Sequence, residues 1–143
     1  MTAEPVRLIV DVANVMGSRP DGWWRDRRGA ATRLIAGLPA LLGAEVEAPE
    51  AGGPEAGGRA AGALLRLDAV TAVVEGAARG AAGPDGILVV AAPADGDTTI
   101  VELAAAEASL RPLVVTADRG LRARLDPAAL IAGPGWLNRL LGR

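Results

Sequence analysis

The side chains able to do chemistry in this chain are carboxylates, amides, hydroxyls, guanidiniums and three indoles. There is no cysteine and no histidine, and all fifteen basic residues are arginine. That inventory excludes thiolate and imidazole zinc sites, Ser-His triads, and every mechanism that needs a lysine, from the phosphate-cradling P-loop to Schiff bases. Hydrolysis with what remains is most readily done by a metal ion held on carboxylates. The acids placed for it are Asp11, Glu75, Asp97 and Asp118, with Asp95 close by, and Asn14 follows the first of them at three residues. Each acid ends or follows a run that reads as a strand. In open parallel sheets, sites form outside the carboxyl ends of the strands. Four strands delivering acids to one edge create repulsion that a hard, oxygen-seeking cation such as Mg²⁺ or Mn²⁺ relieves.

Each acid also has a purely structural role open to it. Asp11 could accept backbone N–H groups in a strand-to-loop turn. Asp97 could be a favourable charge at a helix N-terminus, because Thr99-Ile-Val-Glu102 fits a capping box. Asp118 could cap the helix beside it, and Glu75 could be a solvated strand end. Helix caps alone do not explain acids after the first two strands.

The elements that must position these residues follow from periodicity. Val6–Val10 reads as a strand, Asn14–Asp21 as loop closing in the turn Arg19-Pro-Asp-Gly22, and the stretch from Trp23 as a helix ended or kinked by Pro39. Residues 43–62, with two PEAGG copies and no periodicity, read as a flexible surface insertion. Strands are expected at Val70–Glu75, Ile87–Ala91, Leu113–Thr116 and Ala128–Ala132. Helices are expected at Thr99–Leu110, Asp118–Leu125 and beyond Gly133. Strands alternating with helices imply right-handed crossovers and a three-layer α/β/α sandwich with a mainly parallel central sheet. At 143 residues the chain reads as one domain over 1–143.

Net charge is −2 but segregated. Residues 1–40 carry six Arg against four acids and 111–143 six against two, whereas 41–110 carry three against eleven. Tight non-specific nucleic-acid binding is disfavoured overall, yet the basic ends could frame an acidic pocket with arginines. Trp23 and Trp24 stand among Arg19, Arg25, Arg27 and Arg28, a combination able to stack bases and hold phosphates; at least one indole is expected to anchor the helix instead, and Trp136 to pack in the core. Arg119 could face a phosphate, and Ser18 and Thr116 could assist there. No run is long and apolar enough for a membrane helix, and Met1-Thr-Ala-Glu-Pro5 lacks the layout of a signal peptide, so a cytoplasmic protein is expected.

Ile9-Val-Asp-Val-Ala-Asn-Val15, followed by Gly17-Ser-Arg-Pro-Asp-Gly-Trp-Trp-Arg-Asp-Arg28, resembles the opening of the YacP-like NYN proteins, a bacterial branch of the PIN-like nuclease superfamily. Val73–Gly76, Gly96–Glu102 and Val114–Leu121 agree in order, and Gly133-Pro-Gly-Trp-Leu137 also looks familial. The resemblance implies a PIN-like fold and metal-dependent cleavage of RNA. It casts Asp11, Asp97 and Asp118 as metal-binding acids and Asn14 as the amide orienting Asp11. One departure is that Thr98 stands where the family commonly has a second acid, with Asp95 or Glu102 as substitutes; the insertion at 43–62 is another.

Three functions compete on these residues. The first is a Mg²⁺/Mn²⁺-dependent endoribonuclease acting on RNA, free or on the ribosome, with Asp11, Asn14, Asp97 and Asp118 in the catalytic set. Glu75 and Asp95 are further ligand candidates, and Ser18, Arg19, Trp23, Arg27, Arg28 and Arg119 hold the substrate. The second is a nucleotide hydrolase, of the nucleoside triphosphate pyrophosphohydrolase kind, using the same acids. The third is an RNA- or ribosome-binding module with a decayed metal site. Oligomeric state is left open, a homodimer included.

Overall fold

The first strand, β1 (Glu4–Asp11), lies at the centre of a mixed α/β fold because its neighbours on both edges run parallel to it. The computed structural model describes residues 2–49, 63–81, 83–106 and 110–143. On one side β1 pairs with β3 (Leu64–Val74), and on the other with β5 (Arg111–Val115), which pairs in turn with β6 (Leu130–Ala132). The far edge of β3 carries two short strands end to end: antiparallel β2 (Glu45–Glu47) against Leu64–Arg66, and parallel β4 (Ile87–Ala91) against Val70–Val74. Among the described residues the curled sheet has six strands and is mostly parallel.

Helices occupy both faces. Leu8 and Val10 of β1 and Leu113 and Val115 of β5 cluster with Val15 and Met16 of α1 (Val12–Gly17), Leu34 and Ile35 of α2 (Arg27–Gly37) and Leu137 of α5 (Pro134–Leu141). The alternate residues Ile9, Val73 and Val114 cluster instead with Ile100 of α3 (Gly96–Ala105) and Leu121 of α4 (Arg119–Arg124). This is the period-2 alternation of strands buried on both sides. Among the described residues no helix is long and apolar enough to cross a membrane.

Strand β3 explains why its expected span of 70–75 was too short. Leu65 and Leu67 face the same cluster as Val70, Ala72 and Val74, although the first pair is odd-numbered and the others even. The pairing with β1 slips between Val6 and Arg7, whose partners are Leu67 and Ala69, so Asp68 is an extra residue. A bulge of this kind resets the parity of the strand, and a strict period-2 template breaks there.

Other boundaries move as well. Residues 12–17, expected as loop over most of their length, form α1, whose buried Val12, Val15 and Met16 follow helical spacing. The helix expected from Trp23 is interrupted. A 3₁₀ turn at Trp23–Arg25 follows Gly22, whose φ of +87° suits only glycine well, and Asp26 then caps α2. Within the expected insertion, Val46 is buried where β2 pairs with β3; residues 50–62 lie outside the described residues. Helix α3 begins at Gly96 rather than Thr99 because Asp95, not Thr99, provides the cap, its carboxylate accepting the Thr98 N–H at 2.7 Å.

Candidate functional site

The carboxyl ends of β1, β3, β4 and β5 meet at one edge of the sheet, and the sequence places an acid just past each. Asp11 is the most enclosed, with 6% of its surface exposed. It closes β1 and caps α1 at once: Oδ1 accepts the Asn14 N–H at 3.3 Å, and Oδ2 accepts the Thr116 hydroxyl at 2.9 Å. Burial raises its carboxyl to about 6 against the pull of those two bonds, and the charges of Asp97 and Glu75 push further the same way. Asp11 is thus ionised at neutral pH at a cost, and no cation neutralises it among the described residues.

Asp97 stands in the first turn of α3, half-buried. Burial raises its carboxyl, as do the charges of Asp118, Glu75 and Asp95, while Arg124 opposes them. Glu75, the residue after β3, accepts the Gly96 N–H at the start of α3. A Cβ at position 96 would come within 2.9 Å of the Glu75 carboxylate, so a glycine is what lets the acid lie against the helix. Asp118 caps α4, accepting the Leu121 N–H at 3.0 Å. Asp11 and Asp118 cap helices and Glu75 bonds the start of α3, whereas Asp97 makes no capping bond among the described residues. The charges of Glu75 and Asp97 nevertheless act on Asp11, and those of Glu75 and Asp118 on Asp97. Among the described residues no three of them lie close enough to hold a single ion directly.

A second tier of contacts fixes their relative positions. The Thr116 hydroxyl, wholly buried, donates to Asp11 and accepts the Asp118 N–H at 3.1 Å, tying the two acids together. Asn14 reaches across the edge, its Oδ1 accepting the Ala117 N–H at 2.8 Å. Its side chain therefore holds the turn that carries Asp118, and only its backbone N–H orients Asp11. Arg122, one helical turn past Asp118, donates Nε to the Thr116 carbonyl at 2.9 Å. Thr116, expected beside a phosphate or a water, instead ties two acids together, and Arg122 adds a contact that was not among the expected site residues. The signal available for both was their spacing of two before and four after Asp118.

The remaining candidates separate. Asp95 is spent on Thr98, whose backbone and hydroxyl both bond to it and hold its carboxyl below the usual range. Ser18 donates to the Val15 carbonyl at 2.6 Å and accepts Asn138 Nδ2 at 3.1 Å, so its hydroxyl joins α1 to α5. Trp23 is half-buried against the core, with Arg27 5.3 Å above its ring, whereas Trp24 is 51% exposed and edge-on to it. Trp136 packs against the core and donates Nε1 to the Glu47 carbonyl. Arg28 lies beside Gly80, in the loop that follows Glu75. Arg119 is exposed at the start of α4, and Arg19 is half-exposed after α1. Comparison with family models, curated proteins and solved structures returns no match.

Proposed function

We propose that the protein is a divalent-metal-dependent ribonuclease, a single cytoplasmic domain with the three-layer α/β/α arrangement of PIN-like nucleases. Helices on both faces of a parallel sheet and acids collected at its carboxyl edge support the fold part of this reading. One observation carries the functional part: Asp11 is buried and ionised near further acids, in a position that stability alone disfavours.

The donor set fits a hard cation, being oxygen-only and mutually repulsive. Because no three acids among the described residues are grouped to hold an ion directly, an ion here would keep several waters and touch one or two carboxylates, Asp11 and Asp97 or Asp118. A bound Mg²⁺ or Mn²⁺ would supply water activation and charge neutralisation at the scissile phosphate. The chain's own residues do the positioning. Thr116 fixes the rotamer of Asp11, Asn14 and Arg122 hold the turn bearing Asp118, and Glu75 anchors the start of α3. Arg28 and Arg119 provide guanidiniums for flanking phosphates, and exposed Trp24 a surface for a base.

A second reading, an RNA- or ribosome-binding module with a weakened metal site, is favoured by one feature: where a further acid would strengthen the site, Thr98 bonds to Asp95 instead. Cleavage of a labelled single-stranded oligoribonucleotide in Mn²⁺ decides between them. The wild type should cleave and Asp11→Asn, folded by circular dichroism, should lose at least about a hundredfold in rate. Equal cleavage by both would refute the assignment of Asp11, and binding without cleavage by the wild type would establish the module.

A further inference from the structure

A cavity of about 270 Å³ opens beside the far end of α1 from Asp11. Its lining combines three chemistries: aliphatic Met16 and Leu34, the indole of Trp23, and the charged side chains of Arg33, Arg143 and Asp21. The charge is unbalanced. Asp21 is the one acid in that lining, and it meets Arg143 Nη2 only at 3.6 Å. Burial lowers the Arg143 pKa, and the charges of Arg19 and Arg33 lower it further against Asp21. Two guanidiniums against one carboxylate give the described lining an excess of positive charge, which favours an anionic ligand.

We propose that this cavity binds a nucleoside monophosphate unit, with its base against Trp23 and the aliphatic lining and its phosphate on Arg33 and Arg143. The volume is just below the roughly 300–1,000 Å³ of typical small-molecule pockets, which suits one nucleotide and excludes an oligomer lying wholly inside. A purely apolar ligand would leave the excess positive charge of the lining unmatched, and a bare phosphate would leave the indole and aliphatic surface unused. The unit has two sources, the end of an RNA strand or a free nucleotide. From Asp11 to Met16 the helix advances about 7.5 Å, on the order of two stacked nucleotides, so a strand end held here would lead towards the acidic edge. The pocket itself goes beyond the nuclease reading and stands without it.

Titration of the full chain, followed by tryptophan fluorescence with a chelator present, keeps the acidic site out of the measurement. The probes are adenosine monophosphate, adenosine, inorganic phosphate and a 5′-phosphorylated pentaribonucleotide. The expected result is saturable binding of the monophosphate below about 1 mM, with adenosine and inorganic phosphate each at least tenfold weaker. Arg33→Glu, on an exposed helical position, and Arg143→Gln should each weaken it several-fold or more. Tighter binding of the pentaribonucleotide assigns the pocket to a strand end, and equal binding assigns it to the free nucleotide. No saturation by either phosphorylated probe, adenosine binding as tightly as its monophosphate, or indifference to both substitutions would overturn the proposal.

Discussion

Strand β1 carries two opposite charges that the fold treats in opposite ways. Midway along it, half-buried Arg7 donates Nε to the Leu110 carbonyl at 2.9 Å, Nη1 to Leu103 at 2.6 Å and Nη2 to Ala104 at 2.9 Å. Its guanidinium thereby occupies the carbonyls that the end of α3 and the approach to β5 would otherwise leave open, where a cation is also favoured by the helix dipole. Four residues along, roughly 13 Å at strand rise, Asp11 is buried more deeply and is met by two hydrogen bonds and two further negative charges. One charge is spent within the fold, and the other is left unbalanced. A charge that is fully partnered explains itself structurally, and one that is crowded by its own kind is a candidate functional group.

The sharpest way to break that contrast is at the satisfied charge. Arg7→Met removes a charged donor from several carbonyls, and should cost about 3 kcal/mol, lowering the melting temperature by roughly 10 °C. Differential scanning calorimetry reads this directly. A change of under about 1 kcal/mol would mean that the carbonyls are served equally well by water, and the two charges would then differ less than claimed.

The unbalanced charge should respond to pH in the direction opposite to a salt-bridged carboxylate. The folded carboxyl of Asp11 titrates near 6 against an ordinary value of 3.8, so the native state holds that proton more tightly than the unfolded chain. The associated stability is fully present below about pH 4 and is lost as pH rises through 6. At 1.36 kcal/mol per pK unit its size is at most about 3 kcal/mol. Urea unfolding from pH 4 to 7 should therefore show wild type losing stability relative to Asp11→Asn, which carries no such titration. A constant difference between the two across that range would show that Asp11 is not burdened by its burial.

The acidic edge was legible in the sequence because strand ends are: a β-branched run followed by Asp or Glu marks both the element and the residue. Asp11, Glu75, Asp97 and Asp118 were found that way, and all four lie at that edge. What was not legible depends on distant or local detail that no period reports. The partners of Arg7 are about a hundred residues away, so nothing near position 7 marks it as bonded to them. Helix α1 is only six residues long and is fixed by the Asp11 cap and its packing, so Asn14–Gly17 read as part of a loop. The bulge at Asp68 reversed the alternation of β3, and the antiparallel pairing of Glu45–Glu47 lay inside a stretch whose composition favours coil. The cavity by Trp23 brings Met16 together with Arg143, which only the folded chain places side by side.

On the proposed function, the charge left unbalanced at Asp11 is matched by a divalent cation. Thermal unfolding of the wild type and of Asp11→Asn at pH 7.5, each with a chelator and then with millimolar Mn²⁺, tests it most directly. A ligand that binds only the folded state stabilises it by mass action, about 2.7 kcal/mol at a hundredfold excess over Kd. The wild type should melt several degrees higher in Mn²⁺ and the variant should scarcely move. An unchanged melting temperature for wild type, or an equal rise in both proteins, would contradict the account.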